Sequence, residues 1–147
     1  DDADASTISG GADNRIQTGS LVSTISGGWA NIVTGTDTAT IGGGSKNTIT
    51  GESDASTVSG GTDNLITTNS RKSTIGGGAS NTINSVNNAT VAGGLSNSIM
   101  SAADNAFIGG GTSNTVTNSS SNSTTWTTQI VCSARMPTRE RKLSGMT

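Results

Sequence analysis

Between Ser6 and Thr117 the chain writes one phrase seven times: a Thr-Ile step, a glycine pair, an asparagine and a second aliphatic residue. Its plainest copies are ATIGGGSKNTIT (39–50), STIGGGASNTIN (73–84) and AFIGGGTSNTVT (106–117). The first aliphatic position falls at Ile8, Ile25, Ile41, Val58, Ile75, Val91 and Ile108, and the second at Ile16, Val33, Ile49, Ile66, Ile83, Ile99 and Val116. Both rows advance by 16 or 17 residues. An asparagine stands two places before every member of the second row, at Asn14, Asn31, Asn47, Asn64, Asn81, Asn97 and Asn114.

A fixed period of this kind is the signature of a solenoid, in which each repeat buries its apolar residues only against its neighbours. Helices do not suit the pattern, because they need apolar residues at three- and four-residue spacing and Ser, Thr, Asn and Gly fill nearly every intervening place. The expected fold is therefore all-β, a parallel β-solenoid (β-roll) of seven 16–17-residue coils, with two short strands per coil. The glycine pair and the Gly/Ser/Asp/Asn stretches supply the turns. At strand spacing of about 4.8 Å the stack is a rod of about 34 Å.

Strand alternation assigns the faces. In each S-T-I-S step the aliphatic residue and the Ser or Ala two places before it point inward, and Thr7, Thr24, Thr40, Thr57, Thr74, Thr90 and Phe107 point outward. On the second strand the outward rows are Arg15, Ile32, Thr48, Leu65, Thr82, Ser98, Thr115 and Gln17, Thr34, Thr50, Thr67, Asn84, Met100, Thr117. Ile32, Leu65 and Met100 are apolar exceptions on a polar exterior and are the candidate inter-chain contact. Stacked amides one coil apart can bond to each other, so the asparagine column is expected to be scaffolding.

The bulk numbers point the same way. With 147 residues, 21 Gly, two Trp, one Phe and no Tyr or His, the chain has little to bury for its length, which favours association with copies of itself. Residues 1–5 form a polar lead-in and 6–117 the solenoid; 118–136 is a candidate cap or linker, and 137–147, after Pro137, a basic tail. The chain starts at Asp1 rather than Met, which suggests a processed product or a piece of something longer. A single cysteine, Cys132, leaves no intrachain disulfide framework. No stretch is apolar enough to span a membrane as a helix, and no secretory signal precedes the repeats.

Catalytic chemistry is thinly supplied. Without His, a Ser-His-Asp or Cys-His arrangement cannot be built. Asp13 and Asp63 share a column three coils apart, about 14 Å at strand spacing and too far for a glycosidase pair. Glu52 and Asp54 fall in one solvated turn. GGGSKN (42–47) lacks the phosphate-loop spacing, and SGGADN (9–14) and SGGTDN (59–64) lack the third glycine and the two-per-coil recurrence of calcium-binding nonapeptides. An acidic rod nearly devoid of aromatics does not suit nucleic acid. The expectation is a non-enzymatic protein without cofactor or metal. The sequons at Asn88, Asn118 and Asn122 are of a kind that recurs by composition in a chain this rich in Asn, Ser and Thr.

The I-G-G-G-x-x-N-T-I phrase resembles the head repeats of YadA-like trimeric autotransporter adhesins and related repeats in phage and giant-virus fibre proteins, over residues 6–117. That resemblance implies a homotrimer of rolls packed side by side, extracellular, on a virion or cell surface. There it would serve as a structural and attachment protein for a host receptor or glycan, without nucleic acid or membrane insertion. The adhesin repeat is usually shorter, and no coiled-coil heptads follow here. A second resemblance, to plant and insect ice-binding solenoids, rests on the half-turns N-x-[IV]-x-[TSG] and on T-x-T ranks. Its candidate face is Thr34, Thr48, Thr50, Thr67, Thr82, Thr115 and Thr117, interrupted by Arg15, Leu65 and Met100.

Overall fold

A computed structural model describes residues 5–117. The lead-in before Ala5, the cap or linker 118–136 and the basic tail 137–147 lie outside the described residues. The described part is a parallel β-solenoid of seven coils with two strands in each and no helix. The strands are β1 (Thr7–Ile8), β2 (Arg15–Ile16), β3 (Thr24–Ile25), β4 (Ile32–Thr34), β5 (Thr40–Ile41), β6 (Thr48–Thr50) and β7 (Thr57–Val58). They continue as β8 (Leu65–Thr67), β9 (Thr74–Ile75), β10 (Thr82–Asn84), β11 (Thr90–Val91), β12 (Ser98–Met100), β13 (Phe107–Ile108) and β14 (Thr115–Thr117).

The odd-numbered strands stack in order into one seven-stranded parallel sheet and the even-numbered strands into another. Registers pair like with like: Ile8 lies beside Ile25 and Ile25 beside Ile41, while Val33 lies beside Ile49 and Ile49 beside Ile66. A one-residue slip would turn every aliphatic side chain to solvent, so the buried rows pin the register. Both rows form one core from Ile25 to Val116, with Ile16 packed against it. Inside the odd sheet the residues two before the aliphatic row are buried as expected, at Ser23, Ala39, Ser56, Ser73, Ala89 and Ala106.

A third ladder was not legible in the repeat. Single residues after the glycine pair bridge from coil to coil in the order Ala12, Trp29, Ser45, Thr62, Ala79, Leu95, Thr112. From Ala12 to Leu95 each donates its N–H to the carbonyl of the second glycine in the next coil, as Thr62 does to Gly78 at 2.9 Å. That glycine must be one: at Gly61 φ is +89° and an added Cβ would fall 2.1 Å from the Gly78 carbonyl.

Two corners close each coil. The glycine corner always spans eight residues between aliphatic positions, for instance Ile41 to Ile49. After its bridging residue comes one left-handed residue, as at Asp13, Ala30, Lys46 and Asp63, and then the asparagine. The opposite corner spans eight or nine residues and absorbs all the variation in coil length.

Candidate contact surfaces

The asparagine column is a continuous hydrogen-bonded ladder. Asn47 Oδ1 accepts both the backbone N–H and the Nδ2 of Asn64, each at 3.1 Å. Asn64 Nδ2 also donates to the Gly60 carbonyl in its own coil and to the Gly78 carbonyl in the next, at 3.0 and 3.1 Å. This pattern recurs from Asn14 to Asn114, and the amides from Asn31 to Asn97 are fully buried. Buried amides with this many partners stabilise a corner and present nothing to a ligand.

The opposite corner uses shorter side chains. Ser56 Oγ donates to the Ser70 carbonyl at 2.7 Å and accepts the Ser73 N–H at 3.1 Å, and Ser73 Oγ serves Ala89 in the same way. Where alanine replaces serine, at Ala39, Ala89 and Ala106, the run stops. Outside it stands a second column in which Asp37, Asp54, Asn87 and Asp104 accept the backbone N–H of the preceding coil at 2.8–3.1 Å. Those side-chain oxygens therefore act as turn caps, a role that repeat counting did not reveal because Leu21 and Arg71 interrupt the column. Glu52 and Asp54 do share one turn, and Arg71 of the next coil reaches both, at 3.3 and 3.5 Å. These pairs are largely exposed and contribute little.

The even sheet carries every residue singled out for contact. Its outer registers run Arg15, Ile32, Thr48, Leu65, Thr82, Ser98, Thr115 in one column. Ile32 and Leu65 thus lie two coils apart with Thr48 between them, roughly 10 Å at strand spacing. Met100 belongs to the adjoining column, between Asn84 and Thr117. All three are half-buried. Thr34 stands beside Thr50, with Thr48 on the same strand; Thr67 meets Asn84, Thr82 meets Leu65, and Thr115 and Thr117 form the last rank.

More exposed apolar side chains lie elsewhere. Trp29 is 47% exposed and Leu95 48%, both on the bridging ladder, and the Lys46 ammonium sits 5.3 Å from the centre of the Trp29 ring. Ile8, Leu21 and Val22 complete the exposed set among the described residues, so four of these five side chains belong to residues 8–29. Sequence alternation could not place Trp29 or Leu95, because a single bridging residue carries no period of its own. Among the described residues no group of three or more His, Cys, Asp or Glu side chains is placed to hold a metal ion, and no helix is long and apolar enough to cross a membrane. In sequence, the chain matches no protein-family model and no curated protein.

Proposed function

We propose that the chain is a structural and attachment segment: a stiff β-solenoid rod on a cell or virion surface, outside the cell, that packs with two further copies and holds a receptor or glycan. The observation that carries this reading is the unbroken parallel register of both sheets over all seven coils. Such stacking repeats each outward column every ~4.8 Å and makes length a simple function of coil number. What the even sheet offers a neighbouring copy is a face with Thr at half of its outward positions and half-buried Ile32, Leu65 and Met100. Three weak sites on one rod would act through avidity rather than through a single deep pocket, and the rod would need neither cofactor nor catalytic group.

Light scattering on the full chain tests the assembly. The expected particle has three times the chain mass of 14.5 kDa, and Leu65→Lys should return it to one. A wild-type chain that stays folded as a monomer would remove the trimer. Attachment is tested by binding the full chain to a glycan array, where the trimer should bind and the Leu65→Lys monomer should lose most of its signal.

A second reading, ice binding, is favoured by one local observation: Thr34, Thr48 and Thr50 stand together on β4 and β6 in register. On this reading a folded monomer shows thermal hysteresis that Thr50→Tyr or Thr67→Tyr abolishes. Leu65, Asn84 and Met100 break the plane beyond it, which is why attachment is preferred.

A further inference from the structure

Most asparagines among the described residues have their amides engaged. The ladder members from Asn14 to Asn114 bond to one another, and the residue two places after each is a core aliphatic, so none of them begins an Asn-x-Ser/Thr sequence. Asn87 Oδ1 accepts the Arg71 N–H at 3.1 Å, and Asn84 Oδ1 accepts the Ser85 hydroxyl at 2.9 Å. Asn69, Asn88 and Asn105 remain, all exposed, all with positive φ and all at the corner opposite the glycines. Ser70-Arg71 follows Asn69 and Ala106-Phe107 follows Asn105, whereas Ala89-Thr90 follows Asn88 and completes a glycosylation sequon.

The fold holds the backbone of Asn88 and leaves its side chain outside. Its N–H donates to the Arg71 carbonyl at 3.0 Å, and φ is +54°, a conformation that asparagine accepts more readily than most residues. The side-chain amide has no hydrogen-bond partner among the described residues. Its neighbours in the same column, Lys72 one coil before and Asn105 one coil after, are exposed as well. Ala89 is buried and Thr90 half-buried on β11, so a group attached at Asn88 sits on the tip of the corner. It touches neither the core nor the even-sheet face that carries Ile32, Leu65 and Met100. A bulky hydrophilic substituent needs such a position, open to solvent and with no bond to displace.

We infer that Asn88 is an acceptor of an N-linked glycan. The inference rests on the extracellular reading proposed above, because the donor, an oligosaccharide carried on a lipid pyrophosphate, is met on the route out of the cell. In the transfer Asn88 Nδ2 forms the N–C bond to the anomeric carbon of the first sugar and gives up a proton. The C–O bond between that carbon and the pyrophosphate breaks, and the lipid pyrophosphate leaves. The glycan then covers the β11 side of the corner and leaves the even sheet free for a second copy.

The test places the full chain behind a cleavable secretory leader in a eukaryotic cell that performs N-glycosylation. Asn118→Gln and Asn122→Gln remove the two sequons that lie outside the described residues. Peptide mass spectrometry, on chain recovered from the medium or from the secretory compartment, should find the peptide spanning Asn88 carrying N-acetylhexosamine and hexose, and peptide N-glycosidase should release them. Thr90→Val, which keeps Asn88, should abolish the modification, and so should Asn88→Gln; Thr90→Ser should retain it. Circular dichroism and the denaturation midpoint should be the same before and after the glycan is removed. An unmodified Asn88 overturns the inference, as does a glycan that persists in Thr90→Val or one whose presence abolishes the β-sheet spectrum. Particle mass and array binding of the same preparation report separately on the rod. An assembled, binding rod that is bare at Asn88 removes this inference alone, and a modified Asn88 on a chain that neither assembles nor binds removes the attachment reading alone.

Discussion

The two corners of the coil solve one problem in different ways. At the glycine corner every coil has the same length, a glycine whose Cβ position is occupied by the next coil's carbonyl, and a buried amide bonded to its neighbours above and below. At the opposite corner the length varies between eight and nine residues and the polar columns are interrupted. Most of the longer corners insert their extra residue as a second consecutive left-handed residue: Gly51-Glu52, Thr68-Asn69 and Ser101-Ala102, against Gly35 or Ser85 alone in the shorter ones. Both buried side-chain hydroxyls without a partner among the described residues, at Ser20 and Thr36, also belong to this corner. A ladder of long, many-partnered amides admits no change of spacing, whereas a corner capped by short hydroxyls and solvated carboxylates can gain or lose a residue.

Deletion should separate the corners most widely. Removing Thr62 pulls Asn64 out of line with Asn47 and Asn81, and the expected outcome is loss of cooperative folding by circular dichroism. Removing Glu52 leaves Gly51 as the one left-handed residue, the arrangement already present at Gly35. Its cost should be about 1–2 kcal/mol or less, most of it from the exposed link to Arg71 and local readjustment. Equal effects of the two deletions would erase the contrast.

Point substitutions sharpen it. Asn64→Ala removes three donor bonds and orphans the Asn81 N–H that Asn64 Oδ1 accepts, while Asn81 Nδ2 keeps the Gly77 and Gly94 carbonyls. With the buried orphan costing about 1–3 kcal/mol and each lost bond about 1 kcal/mol, the loss should be at least about 3 kcal/mol by denaturant titration. Ser56→Ala, in a column that already contains Ala39 and Ala89, should cost about 1 kcal/mol. Within the glycine pair itself, Gly61→Ala should be as severe as Asn64→Ala, because it meets both the positive φ and the Gly78 carbonyl. Gly60→Ala, with nothing within 4 Å of its added Cβ, should change the midpoint by about 1 kcal/mol or less.

This contrast also explains what could be read from the sequence. The aliphatic rows, the asparagine column, the two strands per coil and the inward Ser/Ala row were legible because each repeats one chemistry at one spacing, from Ser23 to Ala106 or Asn14 to Asn114. The bridging ladder was not, since Trp29, Ser45 and Ala79 share only a backbone role. The capping column was hidden for the same reason: what Asp37 and Asn87 have in common is an Oδ1 at one position, and Leu21 and Arg71 dispense with it. Contact residues were the least legible. Alternation identifies which side chains face out, and so found Ile32, Leu65 and Met100, but exposure also depends on neighbouring coils, as the 44% exposed Ile8 of the first coil shows.

The smallest effect carries the comparison furthest, because its sign is opposite. Thr36 belongs to the buried column that continues through Ser53, Ser70, Val86 and Ala103. Ser53 Oγ donates to the Thr50 carbonyl at 2.8 Å and Ser70 Oγ to the Thr67 carbonyl at 2.5 Å, but the Thr36 hydroxyl has no partner among the described residues. Valine has nearly the same shape, and Val86 already occupies the equivalent place without exposure to solvent. Thr36→Val should therefore remove a desolvation cost without opening a cavity and stabilise the rod by about 1 kcal/mol, read as a higher denaturation midpoint. The corresponding swap at the other corner, Asn47→Leu, keeps the size but deletes a fully used amide, and it should destabilise by about 3 kcal/mol or more. If Thr36→Val instead lowers the midpoint, that hydroxyl is engaged after all, and the looser corner is as tightly satisfied as the asparagine one.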